Sequence, residues 1–133
     1  MGNLLILNGS PRAPRSNSRR YAQIFSSCYG ENTEYFDITK RNHPELCAKL
    51  AGTSHVLFAF PLYADGLPVT LLNFLKSLEA APPQNKPTVS ILINCGFLQP
   101  QQNERAVEMM RLFCRQNRYP FGSVLKIGSG EAI

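Results

Sequence analysis

The stretch that decides the fold runs from Leu4 to Phe25 and reads LLILNGSPRAPRSNSRRYAQIF. It opens with four consecutive apolar residues, Leu4 to Leu7, a run typical of a strand that is buried on both faces of a parallel sheet. A sharp break follows at Asn8 to Pro11, and apolar residues with helical spacing begin at Tyr21. A strand, a polar loop and a helix in this order present the free N–H groups of a helix N-terminus to an anion.

The polar loop carries the chemical groups that a phosphate needs. Its hydroxyl and amide side chains are Ser10, Ser16, Asn17 and Ser18, and its arginines are Arg12, Arg15, Arg19 and Arg20. Hydrogen-bond donors, a favourable helix dipole and positive charge would meet a bound phosphate in one place. The alternative is that Ser16 or Asn17 only caps the helix while the arginines are solvated. This stretch alone favours neither interpretation.

Length and composition predict one globular domain that spans residues 1–133. A chain of this size buries about two thirds of its unfolded surface, and its 44% hydrophobic and 17% charged residues are ordinary values. No apolar run approaches the roughly 20 residues of a membrane span, and no signal peptide precedes the first strand. We therefore expect a cytoplasmic protein without a membrane span.

The four cysteines are widely spaced and do not form a C-x-x-C motif; they are Cys28, Cys47, Cys95 and Cys114. This spacing argues against a zinc site and against a disulfide framework, and it fits a reducing cytoplasm. Cys28 and Cys114 lie on apolar helix faces, so we expect both to be buried thiols. Cys95 follows the fourth strand, but nothing in the sequence lowers its pKa, and no chemistry is assigned to it.

The net charge is +5 and the sequence pI is about 9.2, so a nucleic-acid-binding domain has to be considered. Apart from the arginines of the first loop, however, the basic residues are scattered and are not interleaved with aromatic residues. The positive charge is better suited to small anionic ligands such as phosphate-bearing cofactors. We therefore expect no nucleic-acid partner.

Strand patterns and helix patterns alternate along the rest of the chain. The predicted strands cover residues 33–38, 54–60, 88–94 and 123–127, and the predicted helices cover residues 44–51, 69–78 and 100–117. This alternation predicts a parallel sheet with right-handed crossovers. Because the first, third and fourth strands are the most apolar, we expect them at the centre, which gives the strand order 2-1-3-4-5. Ligand sites in such sheets lie at the carboxyl ends of the strands, near the switch point between strands 1 and 3.

Three loops leave the carboxyl ends of the central strands, at Asn8 to Ser18, Pro61 to Pro68 and Asn94 to Gln102. The first suits a phosphate, while Tyr63 and Phe97 in the other two suit the faces of a flat ring. The chain has neither G-x-G-x-x-G nor G-x-x-x-x-G-K-[ST], which disfavours a dinucleotide-binding fold and a P-loop. A ligand with one phosphate and one planar ring remains, and FMN has both.

Three motifs resemble those of a known family. They are LILNGSPR at 5–12 followed by SNS at 16–18; FPLY at 60–63 followed by GLP at 66–68 and LNFL at 72–75; and NCGF at 94–97. The first resembles the GSPR…S/GNS phosphate loop of the flavodoxin-like NAD(P)H-dependent FMN reductases. The second is similar to that family's P-x-Y…P…LKNFLD segment, and the third to its third flavin loop. The resemblance covers nearly the whole chain and implies a three-layer, flavodoxin-like, doubly wound parallel sheet.

The resemblance also implies which residues hold FMN. Its phosphate would be bound by Ser10, Arg12, Ser16, Asn17 and Ser18. Its isoalloxazine ring would be flanked by Pro61, Leu62, Tyr63 and Ala64, with Asn94, Gly96 and Phe97 on the other edge. For Tyr63 the alternative is a half-buried loop aromatic without a ligand. No catalytic side chain and no metal ligand is assigned, because the cofactor carries the hard chemistry.

The function that the resemblance implies is an NAD(P)H-dependent oxidoreductase. Hydride would pass from NAD(P)H to bound FMN, and electrons would pass on to a small acceptor such as a quinone, another flavin or a metal ion. Two alternatives stay open. One is a flavodoxin-like electron carrier without nicotinamide activity, which the basic charge disfavours. The other, less favoured still, is a basic nucleic-acid-binding domain.

Two departures from the family pattern bear on its cofactors and partners. Iron–sulfur relatives carry a compact cysteine cluster before the third strand, whereas this chain has only Cys47 there, so we expect no cluster. The family normally places another helix after strand five, but this chain stops at Ile133. A bare apolar sheet face would be sticky. We therefore expect either a truncated chain or a partner subunit on that face, and the family's habit suggests a homodimer or higher homo-oligomer.

Overall fold

A computed structural model describes residues 4–9, 33–61, 67–96 and 100–128. Five strands are present in these ranges: β1 (Leu4–Asn8), β2 (Thr33–Asp37), β3 (His55–Pro61), β4 (Thr88–Gly96) and β5 (Phe121–Gly128). Three helices alternate with them: α1 (His43–Leu50), α2 (Val69–Ala80) and α3 (Pro100–Asn117). The predicted boundaries agree with these to within two residues. The helix that the sequence predicts after the first loop lies outside the described residues.

All five strands form one parallel sheet with the order β2-β1-β3-β4-β5. This confirms the order predicted from the apolar strands. The physical reason is burial, since a strand at the centre of a sheet with helices on its faces must be apolar on both sides. The order changes direction at β1, which is paired with β2 on one side and with β3 on the other.

The three described helices belong to the core on one face of the sheet. The buried strand residues of this core alternate along β1, β3 and β4: Leu5, Leu7, Val56, Phe58, Phe60, Val89, Ile91 and Ile93. Phe74 of α2 is fully buried against Phe58, with ring centroids 6.1 Å apart. In α3, Met110 and Cys114 are buried. Met110 therefore fills the core.

The opposite face of the sheet has its own buried cluster, made of Leu4, Ile6, Leu57, Ala59 and Leu92. None of the three described helices contributes to this second cluster. The expectation about a missing final helix concerns the chain after Gly128, which is outside the described ranges. None of the helices that the structure describes is long and apolar enough to cross a membrane.

Both cysteines whose side chains are described are buried free thiols, Cys47 and Cys114. Burial raises the pKa of each, in the case of Cys114 to about 12. Both thiols are therefore protonated and unreactive at neutral pH. The prediction of a buried Cys114 is confirmed, whereas that for Cys28 lies outside the described residues.

His55, at the start of β3, joins a hydrogen-bonded cross-link between three strands. Its Nε2 lies 2.7 Å from the Oγ of Ser90 in β4. The backbone N–H of Ser123 in β5 donates to the same oxygen at 3.0 Å. Ser90 is almost completely buried, and burial lowers the pKa of His55 below its ordinary value of 6.5. His55 therefore ties β3 to β4 and, through Ser90, to β5.

The lowered pKa of His55 predicts that the protein loses stability in mild acid. The unfolded chain takes up this proton at a higher pH than the folded protein does, so protonation favours unfolding. The contribution of neutral His55 to the free energy of unfolding is fully present above about pH 6.5. It is lost as the pH falls through the pKa that His55 has in the folded protein. Urea unfolding measures the free energy of unfolding at about pH 7.5 and at about pH 5.5. The decrease in this free energy from the higher to the lower pH should be smaller for His55→Asn than for the wild type. An identical decrease in both proteins would contradict the prediction.

Candidate functional site

The three loops that the sequence predicts as ligand loops leave the same edge of the sheet. They follow the carboxyl ends of β1, β3 and β4, which are direct neighbours in the sheet. Asn8, the last residue of β1, is in register with Ala59 of β3. Pro61, the last residue of β3, is in register with Asn94 of β4. The predicted convergence therefore holds for the strand ends from which the loops emerge.

This edge is stepped from β1 towards β4. Ala59, which is level with Asn8, is level in turn with Leu92 of β4. β3 continues two residues beyond that level to Pro61, and β4 continues four residues to Gly96. At roughly 3.3 Å per residue, β4 extends about 13 Å further than β1. A ligand with one end near β1 and the other near the ends of β3 and β4 would follow this slope.

The end of β1 and the following Gly9 are held by backbone hydrogen bonds to β3 and to the residue after β2. The N–H of Gly9 donates to the carbonyl of Ala59 at 2.8 Å, and the N–H of Ile38 donates to the carbonyl of Asn8 at 2.9 Å. The ladder of hydrogen bonds thus continues one step beyond the strand, up to the residue before Ser10. The position at which the first loop begins is set by both neighbours of β1.

Gly9 also lies against α2 so closely that no other residue fits without a shift. A Cβ atom at Gly9 would lie 3.0 Å from the Cβ of Leu71. Leu71 is fully buried in the first turn of α2, so its Cβ cannot move without moving the helix backbone. The glycine of the sequence motif NGSP is therefore explained by close packing on this helix.

A chain of side-chain hydrogen bonds connects β1 to β2 at the switch point. Asn8 is fully buried, and its Nδ2 donates to the hydroxyl of Tyr35 at 2.9 Å. That hydroxyl donates to Oδ1 of Asp37 at 2.8 Å, and Asn8 Nδ2 makes a second, longer contact of 3.4 Å with the same oxygen. The chain ends on a carboxylate, which strengthens the bonds that lead to it.

Asn42 closes the turn that follows β2. Its Nδ2 donates to the carbonyl of Asp37 at 2.8 Å, while its Oδ1 accepts from the N–H of Thr39 at 2.9 Å. Tyr35, Asp37 and Asn42 are not among the site residues that the sequence predicts. The signal for the first two is the alternation of β2, which places both side chains on one face, next to Asn8.

Most predicted FMN ligands lie outside the described residues: Ser10, Arg12, Ser16, Asn17, Ser18, Leu62, Tyr63, Ala64 and Phe97. Three predicted positions are described at the level of the backbone. Pro61 and Asn94 are brought together as a pair of neighbouring strands, and Gly96 ends β4 opposite Gly128. All three lie at the stepped edge, and their roles towards FMN remain predictions.

A groove elsewhere in the protein lacks this arrangement. It encloses about 730 Å³ beside α1 and the end of α2, and Lys40, His43 and Cys47 are among its lining residues. His43 is used structurally there, since its Nδ1 is 2.8 Å from the Oγ of Ser77 and its ring lies edge-on to Phe74. Among the described residues, no group of three or more His, Cys, Asp or Glu could hold a metal ion. The stepped edge remains the better candidate site.

The order of the described strand ends along the edge is compatible with FMN. A phosphate end would be placed at the first loop, which begins at a turn held by two backbone hydrogen bonds and bears hydroxyl and guanidinium groups. A ring end would be placed further along the slope, beside the ends of β3 and β4. The order of these features along the edge is the order of the two ends of the cofactor.

No protein-family model matches the chain, and no curated protein sequence matches it. Solved structures do match it over nearly its full length. The Trp repressor binding protein from Bacillus subtilis has a TM-score of 0.79 at 11% identity, covering 96% of this chain and 88% of its own. An NADPH-quinone reductase from P. pentosaceus has a TM-score of 0.77 at 17% identity, covering 98% and 88%.

An FMN-dependent NADH-azoreductase from Bacillus anthracis, solved in complex with FMN, has a TM-score of 0.72 at 10% identity. The match covers 100% of this chain and 90% of the azoreductase. At such identities the comparison establishes the fold, which is flavodoxin-like, as the strand order also shows. The resemblance seen in the sequence motifs is thus confirmed at the level of the fold.

Proposed function

We propose that this chain with a flavodoxin-like fold is an FMN-dependent NAD(P)H oxidoreductase that delivers electrons to a small acceptor such as a quinone, another flavin or a metal ion. The observation that carries the proposal is the stepped carboxyl edge, at which the phosphate-suited loop and the two ring-suited loops begin from adjacent strands. Structural neighbours that include an NADPH-quinone reductase and an FMN-dependent NADH-azoreductase support it.

The residues of this chain bind and orient the cofactor in this proposal. The phosphate would be held by Ser10, Arg12, Ser16, Asn17 and Ser18. The ring would be flanked by Pro61, Leu62, Tyr63 and Ala64, with Asn94, Gly96 and Phe97 on its other edge. When bound, FMN supplies the exchange of hydride and electrons, so no side-chain acid or base is required. The described residues that precede the first loop support the proposal, because Asn8 and Gly9 are hydrogen-bonded through their backbones to the neighbouring chain segments on both sides.

The charge of the chain supports an enzyme that uses nicotinamide nucleotides. A net charge of +5 and the arginines of the first loop favour the approach of a second phosphate-bearing ligand. An electron carrier that docks on basic protein partners would gain nothing from this charge. We also propose that the protein is cytoplasmic, because its widely spaced cysteines suit a reducing compartment. We further propose that it forms a homodimer or higher oligomer, which sedimentation would measure.

The direct test is a titration of the apoprotein with FMN, followed by anaerobic mixing with NADH and with NADPH. We expect saturable binding and loss of the oxidised flavin absorbance with at least one nucleotide. Arg12→Ala should weaken FMN binding by about tenfold or more, since a charge-assisted hydrogen bond to phosphate is lost. Arg115→Ala, in the last turn of α3 and exposed, is the matched control and should bind FMN like the wild type.

Two results would count against the enzyme. Folded protein that takes up no FMN would reject the whole proposal. A flavin that stays oxidised with both nucleotides, yet exchanges electrons rapidly with a protein reductase, would identify an electron carrier instead.

A further inference from the structure

We propose that the hydrogen-bonded chain Asn8–Tyr35–Asp37 is a positioning device that presets the first loop for the phosphate of FMN. The proposal rests on the proposed function, because it takes FMN as the ligand of that loop. None of the three residues is among the predicted FMN ligands. Each would act on the cofactor through the backbone of the turn at Gly9.

The position of Asn8 is what makes such a role possible. It is the last residue of β1, and its neighbour Gly9 is the last described residue before the predicted phosphate ligand Ser10. Its amide side chain is completely buried, so it has to be hydrogen-bonded. The partners come from β2, 27 and 29 residues further along the chain. The side chain therefore ties the start of the loop to the edge strand of the sheet.

The contacts around Asn8 and Gly9 restrain the turn from every described direction. The carbonyl of Asn8 accepts from the N–H of Ile38, the residue after β2, and the N–H of Gly9 donates to β3. The Cα side of Gly9 packs on Leu71 of α2, on the sheet face where the described helices lie. Tyr35 packs with Leu4 and Ile6 on the opposite face, and the register places Asn8 and Asp37 on that face as well.

Among these restraints, only the hydrogen-bonded chain Asn8–Tyr35–Asp37 depends on side-chain polar groups. The backbone bonds fix the height of the turn within the sheet, and the contact with Leu71 limits its movement towards α2. The Asn8–Tyr35–Asp37 chain prevents the end of β1 from rotating or pulling away from the edge strand. A ligand-binding segment that starts from a fixed end loses less conformational entropy when its ligand binds, and this gain appears as affinity.

The test is Tyr35→Phe, which removes one hydroxyl and keeps the ring that packs on Leu4 and Ile6. We expect its affinity for FMN to fall by about tenfold, as a buried amide and a carboxylate lose their shared partner. Affinity for riboflavin, which has no phosphate, should change by less than about twofold. A general loosening of the structure would weaken both flavins alike, so this comparison separates positioning from stability.

Tyr119→Phe is the matched control. The hydroxyl of Tyr119 is buried and has no hydrogen-bond partner in the part of the chain that is described, and its ring stacks on Phe113. Removing it should leave the affinity for both flavins unchanged. Asp37→Asn keeps an oxygen that can accept from Tyr35 and should bind FMN more tightly than Asp37→Ala.

A readout that needs no flavin is the amide exchange of Gly9 in the apoprotein. Tyr35→Phe should speed the exchange of this N–H by about fivefold or more, because the turn opens more often. Exchange and FMN affinity like those of the wild type would overturn the inference, as would equal weakening of FMN and riboflavin. If the wild type itself takes up no FMN, the proposed function fails as well. If the wild type binds FMN and Tyr35→Phe binds it equally well, this inference alone fails.

Discussion

Replacing Phe74 with alanine is expected to lower the free energy of unfolding by about 3–5 kcal/mol. The ring is fully buried in α2, tilted against Phe58 of β3 and edge-on to His43 of α1, with centroids 6.1 Å and 5.4 Å away. It therefore joins two helices and the sheet. Alanine would leave a cavity at the meeting point of three elements, which close-packed surroundings fill only partly. Urea unfolding at constant pH measures the loss.

Val69→Ala is the matched control for Phe74, because it also truncates an apolar side chain of α2. Val69 is 69% exposed, so its truncation should change the stability by less than about 0.5 kcal/mol. A cost below about 1 kcal/mol for Phe74→Ala would show that α2 does not pack on the sheet as described. The position of α2 matters for the site as well, since Leu71 of the same helix limits the turn at Gly9.

Gly122→Ala is the second large effect, with an expected loss of about 2–4 kcal/mol from overpacking together with a broken hydrogen bond. A Cβ at this position would lie 2.6 Å from Oγ of Ser90 and 3.0 Å from Cγ2 of Thr88. The Ser90 oxygen cannot move away freely, since it is bonded to His55 and to the N–H of Ser123. Either β5 shifts or the cross-link between β3, β4 and β5 breaks.

A double-mutant cycle identifies the cause of the Gly122 effect. Ser90→Ala removes the oxygen with which the new Cβ collides, so Gly122→Ala should cost at least about 1 kcal/mol less in that background. Gly52→Ala is the control, because a Cβ there meets no atom within 4 Å, and its stability should change by less than about 1 kcal/mol. Additive costs for Gly122 and Ser90 would contradict the collision.

The predicted and observed strand boundaries differ at the start of β5. β5 begins at Phe121, two residues before the predicted start at Ser123. This early start is not expected from the local sequence, because Pro120 and Gly122 are residues that ordinarily disfavour strands. Here the carbonyl of Pro120 accepts from Val89, and the absent side chain of Gly122 leaves room for Ser90. Both reasons lie in a partner strand about 30 residues away.

The amino-acid sequence by itself determined the described elements, the order of the strands and the edge of the sheet at which the candidate site lies. Burial on both faces makes β1, β3 and β4 apolar throughout, so the centre of the sheet is visible in a local pattern. Only the tertiary structure decided which side chains from different strands contact each other. Asn8 reaches Tyr35 across 27 residues, and His55 reaches Ser90 across 35. Such contacts depend on the register between strands, which no local pattern contains.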